Sequence, residues 1–396
     1  MSVIFDTFIF LASFIFVLGF LVFFHELGHY SVARLFGVSV ERFSVGFGKP
    51  IAEWTLKSGE IWSIGRLPLG GYVKFLGDAG GASNPDHEAL NEMKAELEAG
   101  GRDASSCFHF KPLWQRVCVV LAGPLANFIL AILITAGLAL SFGTVSFKSV
   151  VMTVETGGAA EQSGVLTGDM FLSLDGNDVR EYRDLVTYIS LHSDTELTAI
   201  VDRDGSEITF PITPKRKERK DFIGGTNAVG TIGIGLSNSR EHIVRKSHGP
   251  ISALSVGVND LASTIKSTGT YIGRIFTGKE DGKALGGVAR IATMTGKTAV
   301  DISKQEISMG EKARNMLYGL LSLAAALSIG LGVANLMPIP ALDGGHLLYY
   351  SYEAIAGRPL SEQKQEFGFR IGFAVLIGLM IVLTINDVGY IRSLFT

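Results

Sequence analysis

Apolar positions in this chain gather into four long blocks, and the stretches between them differ in character. Residues 3 to 24 are almost uninterrupted apolar sequence, about 33 Å long as a helix, which matches the hydrocarbon thickness of a bilayer. Blocks at 117–141, 315–345 and 366–386 read the same way. The expectation is a polytopic α-helical membrane protein with four transmembrane helices, the first placed in residues 1–36. Within the cytoplasmic or re-entrant region expected over 37–116, residues 40–76 are Gly-punctuated and β-prone, as in Arg42-Phe43-Ser44-Val45-Gly46-Phe47-Gly48 and Ile61-Trp62-Ser63-Ile64-Gly65, and predict a small sheet or hairpin. A polar helix over 83–106 follows. Leu67 to Phe75, with Gly70, Gly71, Tyr72 and Val73 at its centre, is too apolar and turn-rich for an ordinary exposed strand. It predicts a re-entrant loop, tolerated at membrane depth only where protein covers it or a wet cavity adjoins it. Its edge would hold an extended peptide by strand addition; a hairpin wholly in the cytosol is the alternative.

Beyond the second block, residues 149–237 alternate strands and turns. Strands are expected at Val150 to Val154, Met170 to Leu174, Leu197 to Val201, Ile208 to Ile212 and Thr231 to Gly235, with a helix near Glu181 to Leu191. In 250–277, Leu254, Val258, Leu261, Ile265, Ile272 and Ile275 recur at helical spacing. That pattern predicts an amphipathic helix, lying on the membrane surface or packed against the soluble domain.

Composition agrees with this division. The 396 residues are 47% hydrophobic and 18% charged, with a mean hydropathy of +0.32, as expected of a membrane protein carrying a soluble part. A net charge of -3 gives no reason to expect nucleic acid as a partner. The one dense basic run, Lys215 to Lys220, reads as a solvated loop or a lipid-headgroup contact. Cys107 and Cys118 suggest neither a disulfide scaffold nor a thiolate metal site. A cleaved signal peptide fits the first block poorly, because no Lys or Arg precedes it and no small-residue cleavage site follows. Arg34, Arg42, Lys49, Lys57, Arg66 and Lys74 come after it instead, which places the N-terminus outside and the far end of the block toward the cytoplasm.

That far end carries the chemistry. In His25-Glu26-Leu27-Gly28-His29 the two histidines stand four apart, so one helix face can aim both imidazoles at a single ion, and zinc favours such donors. Glu26 projects to one side, where it can reach a water at the metal and act as general base. A third ligand must come from elsewhere. If the first block enters the cytoplasm and the second leaves it, the third returns, so Asp343 reaches the same side as His25; His346 competes for that role. Pro338 and Pro340 stop the third helix and free backbone groups near the site. Asn335 is placed to bond the backbone of an unwound substrate. Asn127, polar in an apolar helix, either joins helices or supports the site. His87 and His109 read as surface histidines.

Two resemblances gather these features. Ala159-Ala160-Glu161-Gln162-Ser163-Gly164-Val165-Leu166-Thr167-Gly168-Asp169, followed by Leu174-Asp175-Gly176, resembles a PDZ domain, an α+β fold. In the circularly permuted bacterial form its peptide groove would fall at Gly230, Thr231, Ile232, Gly233 and Ile234. His25-Glu26-x-x-His29, Gly123-Pro124-x-x-Asn127 and Asn335-x-x-Pro338-x-x-x-x-Asp343-Gly344 together resemble the site-2 protease family, in its bacterial sigma-E-regulating branch. The resemblance implies one Zn2+ held by His25, His29 and Asp343, with Glu26 as catalytic base. It further implies cleavage, inside a bacterial inner membrane, of single-span proteins such as a trimmed anti-sigma factor or signal-peptide remnants. Two departures stand out: room for only one PDZ domain, and Leu285-Gly286-Gly287-Val288 where many relatives have a Gly-Gly-Pro turn. A scaffold or chaperone with a structural zinc is the alternative, and Glu26 argues against it, since a structural site has no use for a base. A metal transporter is disfavoured because acidic and His residues do not recur along the spans.

Overall fold

A computed structural model describes residues 2–78, 90, 92, 95, 106–220, 226–237, 242–283 and 285–393. Most of the polar helix expected over 83–106, and His87 with it, lies outside the described residues. The chain divides into two compact units, Met1–Ile134 with Ile291–Val382 and Thr135–Arg290 with Leu383–Thr396. Among the described residues, four helices are long and apolar enough to cross a membrane: Ile4–Leu35, Leu113–Phe142, Met309–Asn335 and Gln363–Ser393.

The first unit is built on α1 (Ser2–Leu35) and α2 (Leu113–Phe142). Their crossing is close, since a Cβ at Gly28 would overlap the Ala122 carbonyl oxygen and lie 2.7 Å from Ala126 Cβ. α2 continues unbroken through Pro124; within an apolar bundle neighbouring groups can answer the carbonyl that proline leaves free.

Between these helices, β1 (Val40–Thr55) and β2 (Ile61–Phe75) pair antiparallel, and each long strand bends back on itself. Residues 42–45 of β1 consequently lie between two partners: Arg42 to Val45 match Lys74 to Gly71 on one side and Ile61 to Ile64 on the other. Glycine permits the bend. Gly46 has φ +91°, and a Cβ at Gly65 would lie 2.6 Å from the Gly46 carbonyl carbon. Among the described residues no strand pairs with the outer edge of 71–75. Phe43, Tyr30 and Trp62 fasten the sheet to α1, with Phe43 and Trp62 stacked at 4.4 Å. Below it, His109 is a partner of buried Asp78 at 2.7 Å rather than a surface histidine, because the turn at Phe108–Phe110 packs Phe108 against Phe75.

The expected third span, 315–345, is two helices. α7 (Met309–Asn335) ends before Pro338 and Pro340, and α8 (Asp343–Ala356) starts afresh. The freed carbonyls are crowded by glycine: Gly344 lies against Leu336 and Met337, and Gly345 against Ile339. α8 is anchored at its far end, where Arg116 of α2 donates two hydrogen bonds to Glu353 and lies 5.0 Å over the Tyr350 ring. α6 (Val288–Lys304) precedes α7 and was not foreseen. α9 (Glu362–Ser393) runs past both ends of the expected 366–386, because its flanking turns are polar.

The second unit follows α2 with β3 (Thr144–Phe147), β4 (Val151–Val154), the short α3 (Ala159–Gln162), β5 (Met170–Leu174), β6 (Asn177–Asp178) and α4 (Tyr182–Leu191). Next come β7 (Leu197–Arg203), β8 (Ser206–Ile212), β9 (Lys215–Lys220), β10 (Thr226–Thr231), β11 (Ile234–Leu236), β12 (Ile243–Lys246) and α5 (Pro250–Phe276). Strands order as β6-β5-β7-β8, with β11-β4, β10-β9 and β12-β3 as separate pairs. Asp-Gly turns with both residues at positive φ close two hairpins, Asp175-Gly176 and Asp204-Gly205. Phe171, Leu174, Leu185, Leu197, Val201 and Ile212 fill the core.

Three expectations change here. The basic run is strand β9, not a loop: Arg216 pairs with Glu280 and Asp281, and Lys217 with Glu155, so part of its charge is answered within the unit. Thr231 to Gly235 is not one strand, because Ile232 turns into the core at 2% exposure and Gly233 takes φ +78°. Finally, α5 uses both of its faces. Asp260, Lys266 and Arg274 bond Arg183, Asn177 and Ser193, while Ile251, Leu254, Val258 and Phe276 stay exposed.

Asp169 ties the sheet of this unit together. Burial alone would raise its carboxyl, but two hydrogen bonds from Arg203, one from the Leu166 N–H and the guanidinium charge outweigh that and hold it below the usual range. The stabilisation is therefore complete above the ordinary aspartate value of about 3.9 and is lost as pH falls through the lower folded value. Hydrogen exchange over residues 197–212 checks this. Protection in the wild type is expected to persist to lower pH than in Arg203→Ala.

Candidate metal centre

The α1 helix turns His25 and His29 to one face by their spacing, and the break after α7 delivers Asp343 on the first turn of α8. His25 Nε2 and His29 Nε2 are 3.3 Å apart, and Asp343 Oδ2 lies 3.4 Å from the first and 3.5 Å from the second. Among the described residues these three form the one group able to supply three converging metal donors. His346 is not in it, although it lines the same cavity.

The arrangement fits a small tetrahedral cation. Bonds of about 2.0–2.1 Å from a tetrahedral zinc place its donors about 3.3–3.4 Å apart, close to all three edges of this triangle. Asp343 Oδ2 is buried and receives no hydrogen bond from the described residues. A carboxylate oxygen and two ring nitrogens facing one another without a proton or cation between them would repel, so the donor chemistry asks for a positive ion.

Both outward ring nitrogens have polar partners, and that of His29 is held as a metal site needs. His29 Nδ1 is 2.9 Å from the Val119 carbonyl oxygen, which can only accept, so Nδ1 carries the proton and Nε2 is left bare. His25 Nδ1 is 3.0 Å from the side-chain amide of Asn127, itself fully buried. Gly123 makes room for both rings: a Cβ there would overlap His29 Nε2 and sit 2.9 Å from His25 Cε1.

A cavity of about 750 Å3 opens beside the triangle. Its walls include Glu26 from α1, Gly70 to Val73 from β2, Asn335 from α7 and Phe47 from the bend of β1. Glu26 is 8% exposed, and a Cβ at Gly71 would lie 2.8 Å from its Cγ, so β2 passes directly over the carboxylate side chain. Asn335 reaches to 3.3 Å from His25 Nε2. The sequence-derived residues His25, Glu26, His29, Asn127, Asn335, Asp343 and Gly70 to Val73 thus meet in one place. Pro338 stays in the connection between α7 and α8. The supposed groove residues belong to the second unit, where Gly230 and Thr231 end β10 and Ile234 opens β11. Backbone groups there are engaged at home, with Ile232 O accepting from Ala160 and Gly233 O from Glu155.

Residues 13–379 of this sequence match peptidase family M50. The chain belongs to that family. It is 38% identical to metalloprotease MmpA of Caulobacter vibrioides, over 98% of this chain and 99% of the relative. To the putative zinc metalloprotease Atu1380 of Agrobacterium fabrum it is 39% identical, over 96% of each. Zinc metalloprotease RasP of Bacillus licheniformis is 30% identical, over 95% of this chain and 98% of that one. The class expected from the motifs, a membrane-embedded metalloprotease of the site-2 type, stands with that membership.

Sequence reasoning missed the carbonyl of Val119 and the room that Gly123 makes for the rings. The Gly-Pro-x-x-Asn motif marked the right turn of α2, but a backbone acceptor leaves no trace in residue identity. Gly123→Ala is expected to displace the imidazoles and lower zinc affinity at least about tenfold, by analogy with loss of an outer-shell support. Competition with a chelator measures it, and unchanged affinity would mean the rings tolerate the methyl group.

Proposed function

We propose that this chain is a zinc endopeptidase that cuts transmembrane segments of single-span proteins within the bilayer. Convergence of two imidazoles, a carboxylate, Glu26 and an unpaired strand edge in one cavity, walled by helices long enough to span a membrane, carries this reading. His25, His29 and Asp343 hold the ion. Zinc bound there supplies Lewis acidity to the scissile carbonyl and to the attacking water. Glu26 takes the proton from that water and returns it to the leaving amine nitrogen, so it acts as base and then as acid.

A helical substrate hides its peptide bonds and must open locally before attack. Gly70 to Val73 offer the strand edge to which the opened segment adds, and Asn335 bonds its backbone. Side-chain-poor residues suit that edge, because Gly70 and Gly71 let another backbone approach closely. Asn127 and Pro338 support the centre, the first through His25 and the second by ending α7.

The second unit carries the part of the chain that resembles a PDZ domain, residues 149–237. In this reading it lies outside the cytoplasm with the N-terminus and excludes substrates with large ectodomains, so that an earlier cut must trim them first. Trimmed anti-sigma factors and leftover signal peptides are the substrate classes that fit, in a bacterial inner membrane. The engaged backbone of 230–234 favours a steric gate over a peptide groove.

Glu26→Gln is expected to keep zinc and lose cleavage of a single-span substrate by about 10²–10⁴-fold. Parallel zinc and cleavage assays decide it: equal activity with bound zinc would remove Glu26 from the mechanism, and zinc-loaded wild type that cuts nothing would favour the scaffold. Deleting 149–237 is expected to admit bulky, untrimmed substrates; if these stay uncut, the gate is not there.

A further inference from the structure

We infer that Asn127 is the positioning residue that sets the tautomer of His25, with its amide oxygen, not its nitrogen, turned to the ring when metal is bound. The inference deepens the metal-centre reading above and rests on it.

A neutral imidazole carries one proton, so a ring that gives Nε2 to a cation must keep its proton on Nδ1. For His29 the Val119 carbonyl enforces this. For His25 the outward partner among the described residues is the Asn127 side chain, 3.0 Å from Nδ1. The amide nitrogen faces Nδ1, and Oδ1 is buried with no hydrogen-bond partner among the described residues. That orientation requires a bare Nδ1 and puts the proton on Nε2, pointing into the donor triangle. A half-turn of the amide reverses both consequences, and the two ends have nearly the same shape. The present orientation already leaves Oδ1 unpaired, so turning it to the ring exchanges one hydrogen bond for another, and the cation decides: with it present, Nδ1–H donates to Oδ1.

Everything else about Asn127 holds it for that task. It is 0% exposed on α2, one helical turn beyond Gly123, on which both rings rest. Its backbone oxygen accepts from Ser328 Oγ at 2.8 Å, and Ser328 is likewise 0% exposed on α7. The same helix presents Asn335 to His25 from the cavity side. His25 is thus gripped on one ring nitrogen by a residue whose own backbone is pinned by a third helix.

The test compares wild type, Asn127→Leu and Asn127→Asp as full-length protein in detergent. Zinc affinity is read by competition with a chelator, and thermal unfolding of the metal-free form is followed alongside. Leucine keeps the volume but accepts nothing, so affinity is expected to fall about 10–100-fold while metal-free stability holds. Aspartate accepts from Nδ1–H with no orphaned NH2, so affinity is expected to match or exceed wild type although an acid enters an apolar helix. A merely structural asparagine predicts the opposite order, leucine tolerated and aspartate worst. Wild-type affinity in the leucine variant, or an aspartate variant as weak as leucine, overturns the inference. Should neither variant fold, the 15N spectrum of zinc-loaded wild type gives the same answer: a proton on Nδ1 of His25 supports it, and a bare Nδ1 overturns it. Wild type that binds no zinc sinks the metal centre itself.

Discussion

Asp343 sets a negative charge beside two imidazoles at a place enclosed by apolar helices, and most of the first unit is arranged so that this charge is tolerable. Its Oδ2 is buried without a hydrogen-bond partner among the described residues, and an uncompensated carboxylate in such surroundings carries a heavy desolvation cost. The solution is convergence. α1 brings two ring nitrogens, α8 brings the oxygen, and the three atoms stand 3.3 to 3.5 Å apart, at the separation a tetrahedral cation requires.

Convergence of that kind limits how bulky the helices can be where they meet. Glycine sits at each tight point: Gly28 where α1 meets α2, Gly123 under the rings, Gly332 against Phe128, and Gly344 and Gly345 where α8 tucks below the end of α7. Without a strong hydrophobic drive between helices in lipid, close van der Waals contact and buried hydrogen bonds hold such a bundle, and small residues permit both. The Arg116–Glu353 pair then fixes the opposite end of α8, so that the helix carrying Asp343 is held at both ends by α2 and its neighbours.

Irregular and extended backbone next to the site obeys the same constraint. β2 can run beside Glu26 because β1 satisfies one of its edges and the cavity offers room at the other. An edge strand is ordinarily a liability. Here the edge at 71–75 faces the cavity beside the metal donors rather than an open surface.

Much of this was legible in residue order. Apolar blocks of span length, the four-residue spacing of His25 and His29 with Glu26 between, the prolines before Asp343 and the Asp-Gly turns all act locally, through helix periodicity, ring closure or positive φ, so the sequence alone determined their kind and place. Other features arise only when distant segments meet. That Asp343 rather than His346 completes the triangle, that Val119 offers a carbonyl to His29, that Asn127 reaches His25 and that β1 and β2 fold back into a doubly paired sheet depend on distances across helices. So do the fate of the basic strand Lys215–Lys220, whose partners lie some sixty residues away, and the burial of Ile232. Residue identity states what a group can do; only packing decides which of two competent groups is near enough to do it.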